Sequence, residues 1–158
     1  MEIPFLSWLL QGIPESISSA ALILDLCTGG FLWKKVLLIG SLQAVTLYFI
    51  RLMPLIPGVH TLIGLVTMNL YLFWLAGTNL VYSAIASGVV LVILILSEFL
   101  SMFLAVKFGY DSLAQVLSDL KGRVLFGYPQ IVLMIIFSYI AYKKKFSLQK
   151  KSARIENN

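Results

Sequence analysis

Two carboxylates lie within long apolar stretches of this sequence, and two basic side chains lie at the ends of such stretches. Glu15 and Glu98 are the carboxylates, and Arg51 and His60 are the candidate partners. A carboxylate in an apolar setting can hold a proton, pair with a cation or act as an acid or base. We therefore take these four residues as candidates for a polar pocket that responds to a ligand or a proton. A structural clamp that only fixes helix packing is the alternative.

Other site chemistries lack the residues that they require. One His and one Cys cannot form a zinc site or ligate haem through two histidines. The sequence has neither the GxxxxGK[ST] loop that cradles phosphates nor the GxSxG turn of a serine hydrolase. No nucleophile accompanies the two carboxylates. We therefore expect a protein that is not an enzyme and that needs no cofactor.

The composition predicts a membrane protein. Of the 158 residues, 59% are hydrophobic and only 12% are charged, and the mean hydropathy is +0.93. A soluble domain carries about 25% charged residues. Because the apolar residues form long, almost uncharged blocks, water would leave too much apolar surface uncovered, whereas a lipid bilayer is a compatible solvent. We predict an all-α, polytopic integral membrane bundle in the cell membrane.

The apolar blocks predict about five transmembrane helices, each about 20 residues long. Pro14 interrupts the first block, and Pro54 and Pro57 end the second. The predicted spans are Phe5 to about Leu26, Trp33 to Met53, Val59 to Ala76, Asn79 to about Val106, and Val124 to Tyr142. Residues 1–142 then form the transmembrane bundle and residues 143–158 a basic tail.

The basic residues predict a cytoplasmic C-terminus, because lysine and arginine are retained on the cytoplasmic side. With five spans, one side holds Lys34, Lys35 and six basic residues of the tail, eight in total, and the other side holds four: Arg51, Lys107, Lys121 and Arg123. This topology explains the net charge of +5 without nucleic-acid binding, which we do not expect.

The sequence of the segment before the last span predicts a short helix. Ser112 lies three residues before Gln115, which is the spacing of a capping box. Leucine and valine residues then recur at helical intervals until Lys121-Gly122. We expect this amphipathic helix to lie flat on the outer surface. It is either a simple connector or a lid over a ligand.

Polar or small residues follow one face of three predicted spans, which predicts that these faces meet inside the bundle. In the second span, Gly40 and Ala44 permit close approach of another helix. We expect Glu98 to point inward and to pair with Arg51, with Glu15 nearby. The three faces consist of Gln11, Glu15, Ser18, Ser19 and Asp25; Gly40, Ala44, Tyr48 and Arg51; and Ser83, Ser87, Ser97, Glu98 and Ser101.

Three short motifs resemble the N-terminal membrane regions of Firmicute sensor histidine kinases. They are residues 11–15 (QGIPE), residues 58–62 (GVHTL) and residues 97–100 (SEFL). The resemblance covers about residues 1–142. It implies a membrane sensor, but the sequence ends at Asn158 without a kinase domain, so we expect a stand-alone sensor or adaptor with a separate partner.

Two classes of function therefore remain. The first is a non-enzymatic sensor or accessory subunit that engages a protein partner in the cytoplasm or the membrane, or a second copy of itself. The second is a transport component, such as a substrate-binding subunit resembling those of energy-coupling-factor vitamin transporters. Small residues such as Ala84 and Gly88, four positions apart, suit docking in either class.

Overall fold

The computed structural model describes residues 5–53, 59–107 and 120–148. All of their regular structure is helical, in five helices that we number in chain order. Helix α1 consists of Phe5–Ser7, a π-helical turn Trp8–Gly12 and Ile13–Thr28. Helix α2 is Trp33–Leu52, and α3 is Val59–Tyr71 followed by a π-helical turn Leu72–Ala76. Helix α4 is Leu80–Lys107 and α5 is Leu120–Lys143. The predicted all-α fold is confirmed, and the helices coincide with the predicted spans to within a few residues.

Three of the described helices are long and apolar enough to cross a bilayer. They are Trp33–Leu52, Val59–Ala76 and Leu80–Lys107, with mean hydropathies of 1.4, 1.5 and 2.7 in their most apolar windows. Helix α4 has 28 residues and is therefore about 42 Å long, which exceeds the roughly 30 Å thickness of the hydrocarbon layer.

Helix α1 is the central helix of the bundle. It packs against α2, α4 and α5, while α3 packs against α2 and α4. Every residue from Ala20 to Asp25 on α1 is buried. Because neighbouring helices cover α1 on several sides, it can carry serine and carboxylate side chains that a lipid-facing helix would expose to hydrocarbon.

Gly40 allows α2 to lie directly against α1. A Cβ atom at Gly40 would come within 2.6 Å of the Ile17 Cα atom, so any larger residue would push the two backbones apart. Farther along the same pair, the indole nitrogen of Trp8 donates a 2.9 Å hydrogen bond to the Ala44 carbonyl. The predicted close approach through Gly40 and Ala44 is confirmed.

The regular α-helix of the first span is interrupted directly before Pro14, as the sequence predicts, but the chain stays helical there. Pro14 lies at the start of Ile13–Thr28, directly after the π-helical turn Trp8–Gly12. Proline lacks an N–H group and its ring collides with the preceding turn of a regular α-helix. A wider π-helical turn relieves that conflict, so the helical run continues through the proline.

Two sequence predictions lie outside the described residues. The amphipathic helix that begins at Ser112 falls in the segment between α4 and α5, and the basic residues of the tail beyond Leu148 follow the described part of the chain.

Candidate polar site in the bundle

Glu15 is half-buried near the start of the Ile13–Thr28 segment of α1. The side-chain amide of the buried Gln130 on α5 hydrogen-bonds to its carboxylate. One turn farther along α1, the hydroxyls of Ser18 and Ser19 donate to the Glu15 main-chain carbonyl at 2.9 and 2.8 Å. The contact with Gln130 therefore directs the side chain of Glu15 toward α5.

Arg51 and Glu98 both interact electrostatically with Glu15. The interaction with Arg51 favours the charged carboxylate, and the interaction with Glu98 opposes it. Arg51 is half-buried in the last turn of α2. Two of the other residues predicted to form a pocket, Arg51 and Glu98, thus lie within electrostatic range of Glu15.

The predicted inward orientation of Glu98 is wrong. On α4, Ser83, Ser87 and Ser97 are buried, but Glu98 is exposed. A helical wheel places Glu98 at the edge of the serine face. The sequence does not show whether a neighbouring helix covers that edge. The electrostatic partner of Arg51 in the interior is therefore Glu15 rather than Glu98.

His60 lies in the first turn of α3 and is half-buried. Its Nδ1 atom is buried and has no hydrogen-bond partner within the part of the chain that the structure describes. The structure therefore places His60 at one end of the bundle but shows no contact that joins it to Glu15 or Arg51 among these residues.

Polar side chains also join α3 to its two neighbours. The Gln43 side-chain nitrogen on α2 donates to the Gly64 carbonyl at 2.7 Å, and the Thr67 hydroxyl donates to the Gln43 side-chain oxygen at 3.2 Å. On the other side, the Ser87 hydroxyl of α4 donates to the Asn69 side-chain oxygen at 3.3 Å. These polar groups satisfy one another, which is the expected behaviour of interhelical hydrogen bonds in a membrane.

Sequence reasoning did not identify the partner of a second interior carboxylate, Asp25. Asp25 on α1 is completely buried, and its Oδ2 atom accepts a hydrogen bond from the hydroxyl of the buried Ser138 on α5. Its Oδ1 atom has no hydrogen-bond partner among the described residues. The polar face of α1 already included Asp25, but the sequence could not reveal Ser138 because residues 124–142 show no polar periodicity.

The described interior contains carboxylates, amides and hydroxyls that bond to one another rather than a nucleophile aligned with a base. Such an arrangement can fix helix positions, hold a proton or respond electrostatically to a change at its edge. The chain matches no protein-family model, and no curated protein and no solved structure matches it.

Proposed function

We propose that this chain is a non-enzymatic integral membrane protein that crosses the bilayer five times and acts as a small sensor or accessory subunit. In this proposal its exposed surface engages a separate protein partner in the membrane. The three sequence motifs that resemble the membrane regions of sensor histidine kinases agree with a sensory role. The observation that carries the proposal is the exposure of Glu98.

Glu98 lies at the centre of the most apolar stretch of the chain. In residues 89–106, the polar residues are Ser97, Glu98 and Ser101, and all the others are apolar. A charged carboxylate exposed to hydrocarbon costs about 2.5–3.5 kcal/mol. A basic or hydrogen-bonding group from a partner helix would remove that cost, because a side chain that faces protein instead of lipid can be paired. An exposed carboxylate at this position therefore favours a subunit that binds along α4.

Exposed aromatic and basic residues support a membrane position with a cytoplasmic C-terminus. Trp33 and Trp74 are 56% and 71% exposed and lie at the start of α2 and the end of α3. Lys34 lies over the Trp33 ring, 5.5 Å from its centroid. Tryptophan with adjacent lysine is typical of the cytoplasmic membrane interface, and antiparallel connections bring Lys143–Lys145 to the same end.

The alternative of a vitamin-type transport subunit receives less support. Such a subunit needs polar groups directed into a cavity that encloses a solute. In the described interior, the Gln43 amide and the Asn69 amide are directed to helix backbones and neighbouring side chains. Their polar groups are occupied within the bundle.

Co-purification tests the proposed partner. The protein and a Glu98→Gln variant are extracted from host membranes in mild detergent, and the co-purifying proteins are quantified. We expect a membrane protein with a basic residue in one of its spans to accompany the wild-type chain and to be depleted at least fivefold by Glu98→Gln. Glu98→Asp, which keeps the charge, should retain the partner protein. Equal recovery with the wild type and both variants, or recovery of no partner protein, would overturn the proposal. A tightly bound small solute would favour the transport alternative.

A further inference from the structure

A groove of about 210 Å³ runs between α1, α4 and α5 close to the end of the bundle that carries Lys143–Lys145. Its walls are apolar apart from one lysine at the mouth, and it is open to the outside of the bundle. The residues that line it are Leu22, Leu26, Val89, Ile93, Phe137, Ile140, Ala141, Lys144 and Phe146.

The chain reverses direction immediately after α5 and forms one wall of this groove. The Phe146 N–H donates to the Ala141 carbonyl and the Lys145 N–H donates to the Tyr142 carbonyl, both at 3.0 Å. These two bonds define a Schellman motif with Lys145 at its left-handed position. Lys145 has a φ angle of +47° and is the only non-glycine residue with a positive φ in the described chain.

The segment after the turn is fixed to the end of α1. The Ser147 hydroxyl donates to the Cys27 carbonyl at 2.9 Å, and Leu148 packs against the buried core. Gly29 makes room for this segment, because a Cβ atom there would lie 3.0 Å from the Ser147 Cβ atom. The turn at Lys145 is therefore an anchored part of the fold, and the lysines on it have a defined position relative to the groove.

Positive charge and apolar surface lie side by side at the end of α5. Lys143, Lys144 and Lys145 are all exposed, and Lys144 also lines the groove. Glycine is the usual residue at the left-handed position because it has no Cβ atom to collide with the backbone. A lysine that occupies this position costs stability, and a role for its charge explains why it is present.

We propose that this groove binds an anionic phospholipid, with an acyl chain between α1, α4 and α5 and the phosphate held by Lys144 and Lys145. The apolar walls match hydrocarbon. The ammonium group of Lys144 at the mouth, together with that of the adjacent Lys145, matches a negative headgroup. Basic pockets between transmembrane helices are known to bind such headgroups. The inference rests on the membrane position proposed above, since only that position brings phospholipids to the groove.

Lipid binding to the full-length protein in detergent tests the inference. Native mass spectrometry compares phosphatidylglycerol with phosphatidylcholine of identical acyl chains. We expect phosphatidylglycerol to bind more tightly, and Lys144→Gln and Lys145→Gly each to weaken it by about fivefold, which corresponds to about 1 kcal/mol per basic residue near a membrane surface. Lys34→Gln, which removes a lysine that lies over Trp33 instead of the groove, is the matched control and should bind phosphatidylglycerol as the wild type does.

Two further variants separate lipid binding from folding. Lys145→Gly should raise the thermal stability, since glycine accepts the left-handed conformation, so its loss of lipid cannot arise from unfolding. Val89→Phe should fill the groove and weaken the binding of both lipids. Equal binding of the two lipids, or unchanged binding by Lys145→Gly and Lys144→Gln, would overturn the inference. If instead the protein is not found in the membrane fraction, the proposed function itself fails, which is a different result.

Discussion

Gln130 on α5 hydrogen-bonds to the carboxylate of Glu15 on α1, and this bond joins the central helix to the last one at the level where Arg51 acts. A buried polar contact of this type specifies how two helices align, because the carboxylate would otherwise lack a partner.

The Glu15–Arg51 interaction predicts non-additive effects in a double-mutant cycle. Glu15→Gln and Arg51→Gln should each lower the free energy of unfolding in detergent, and the double variant should lose less than the sum by about 0.5–3 kcal/mol. The cycle of Arg51→Gln with Glu98→Gln is the control, and there the effects should add. Additive effects in the first cycle would show that Glu15 and Arg51 do not interact.

Close packing of α2 on α1 predicts that Gly40 does not tolerate a large side chain. Gly40→Leu should destabilise the protein by about 1–3 kcal/mol or prevent its folding, because the added side chain meets the Ile17 backbone. Gly88→Leu provides the control, since a Cβ atom at Gly88 has no atom within 4 Å. Thermal denaturation in detergent measures both variants. A similar loss of thermal stability in Gly40→Leu and Gly88→Leu would contradict the predicted difference between a packed and an open helix face.

Removing the charge of Asp25 should have an unusual effect on the stability of the protein. Because Asp25 is completely buried and one of its oxygens lacks a hydrogen-bond partner among the described residues, the neutral isostere in Asp25→Asn should leave stability unchanged or raise it. Ser138→Ala should lower stability by about 1–3 kcal/mol, because it removes the partner of the other oxygen. A large loss of stability in Asp25→Asn would contradict this expectation.

The basic residues predict the topology, which reporter fusions can measure. An enzyme that is active only outside the cytoplasm should be inactive when fused after Asn158 and active when inserted between Lys107 and Leu120. This follows from the retention of lysine-rich segments in the cytoplasm. The opposite pattern would invert the proposed orientation.

The helices and the close contact at Gly40 could be predicted from sequence because both depend on local patterns. Long apolar blocks define helix length, and small residues four positions apart indicate close approach. The orientation of Glu98 could not be predicted in this way. Its angular position on α4 is known to within tens of degrees, but whether that edge is covered depends on where α3 lies, which no local pattern records.

The same limit applies to the partners of the carboxylates. Gln130 and Ser138 meet Glu15 and Asp25 only because α5 packs against α1. The pairing depends on helix order and register, and apolar periodicity in α5 carries no information about either. The left-handed turn at Lys145 could likewise not be predicted from the sequence, because a lysine occupies a position where glycine is expected.

Photo-crosslinking on the two sides of α4 tests directly whether the exposed Glu98 face binds a partner. Ile95 and Leu100 are each 45% exposed, but only Ile95 lies one turn from Glu98 on the same face. A photoreactive residue at position 95 should crosslink to a partner protein in host membranes, and Glu98→Gln should abolish that product. The same residue at position 100 should react with lipid alone. Equal protein crosslinking at both positions, or none at position 95, would contradict the claim that the exposed Glu98 face binds a partner.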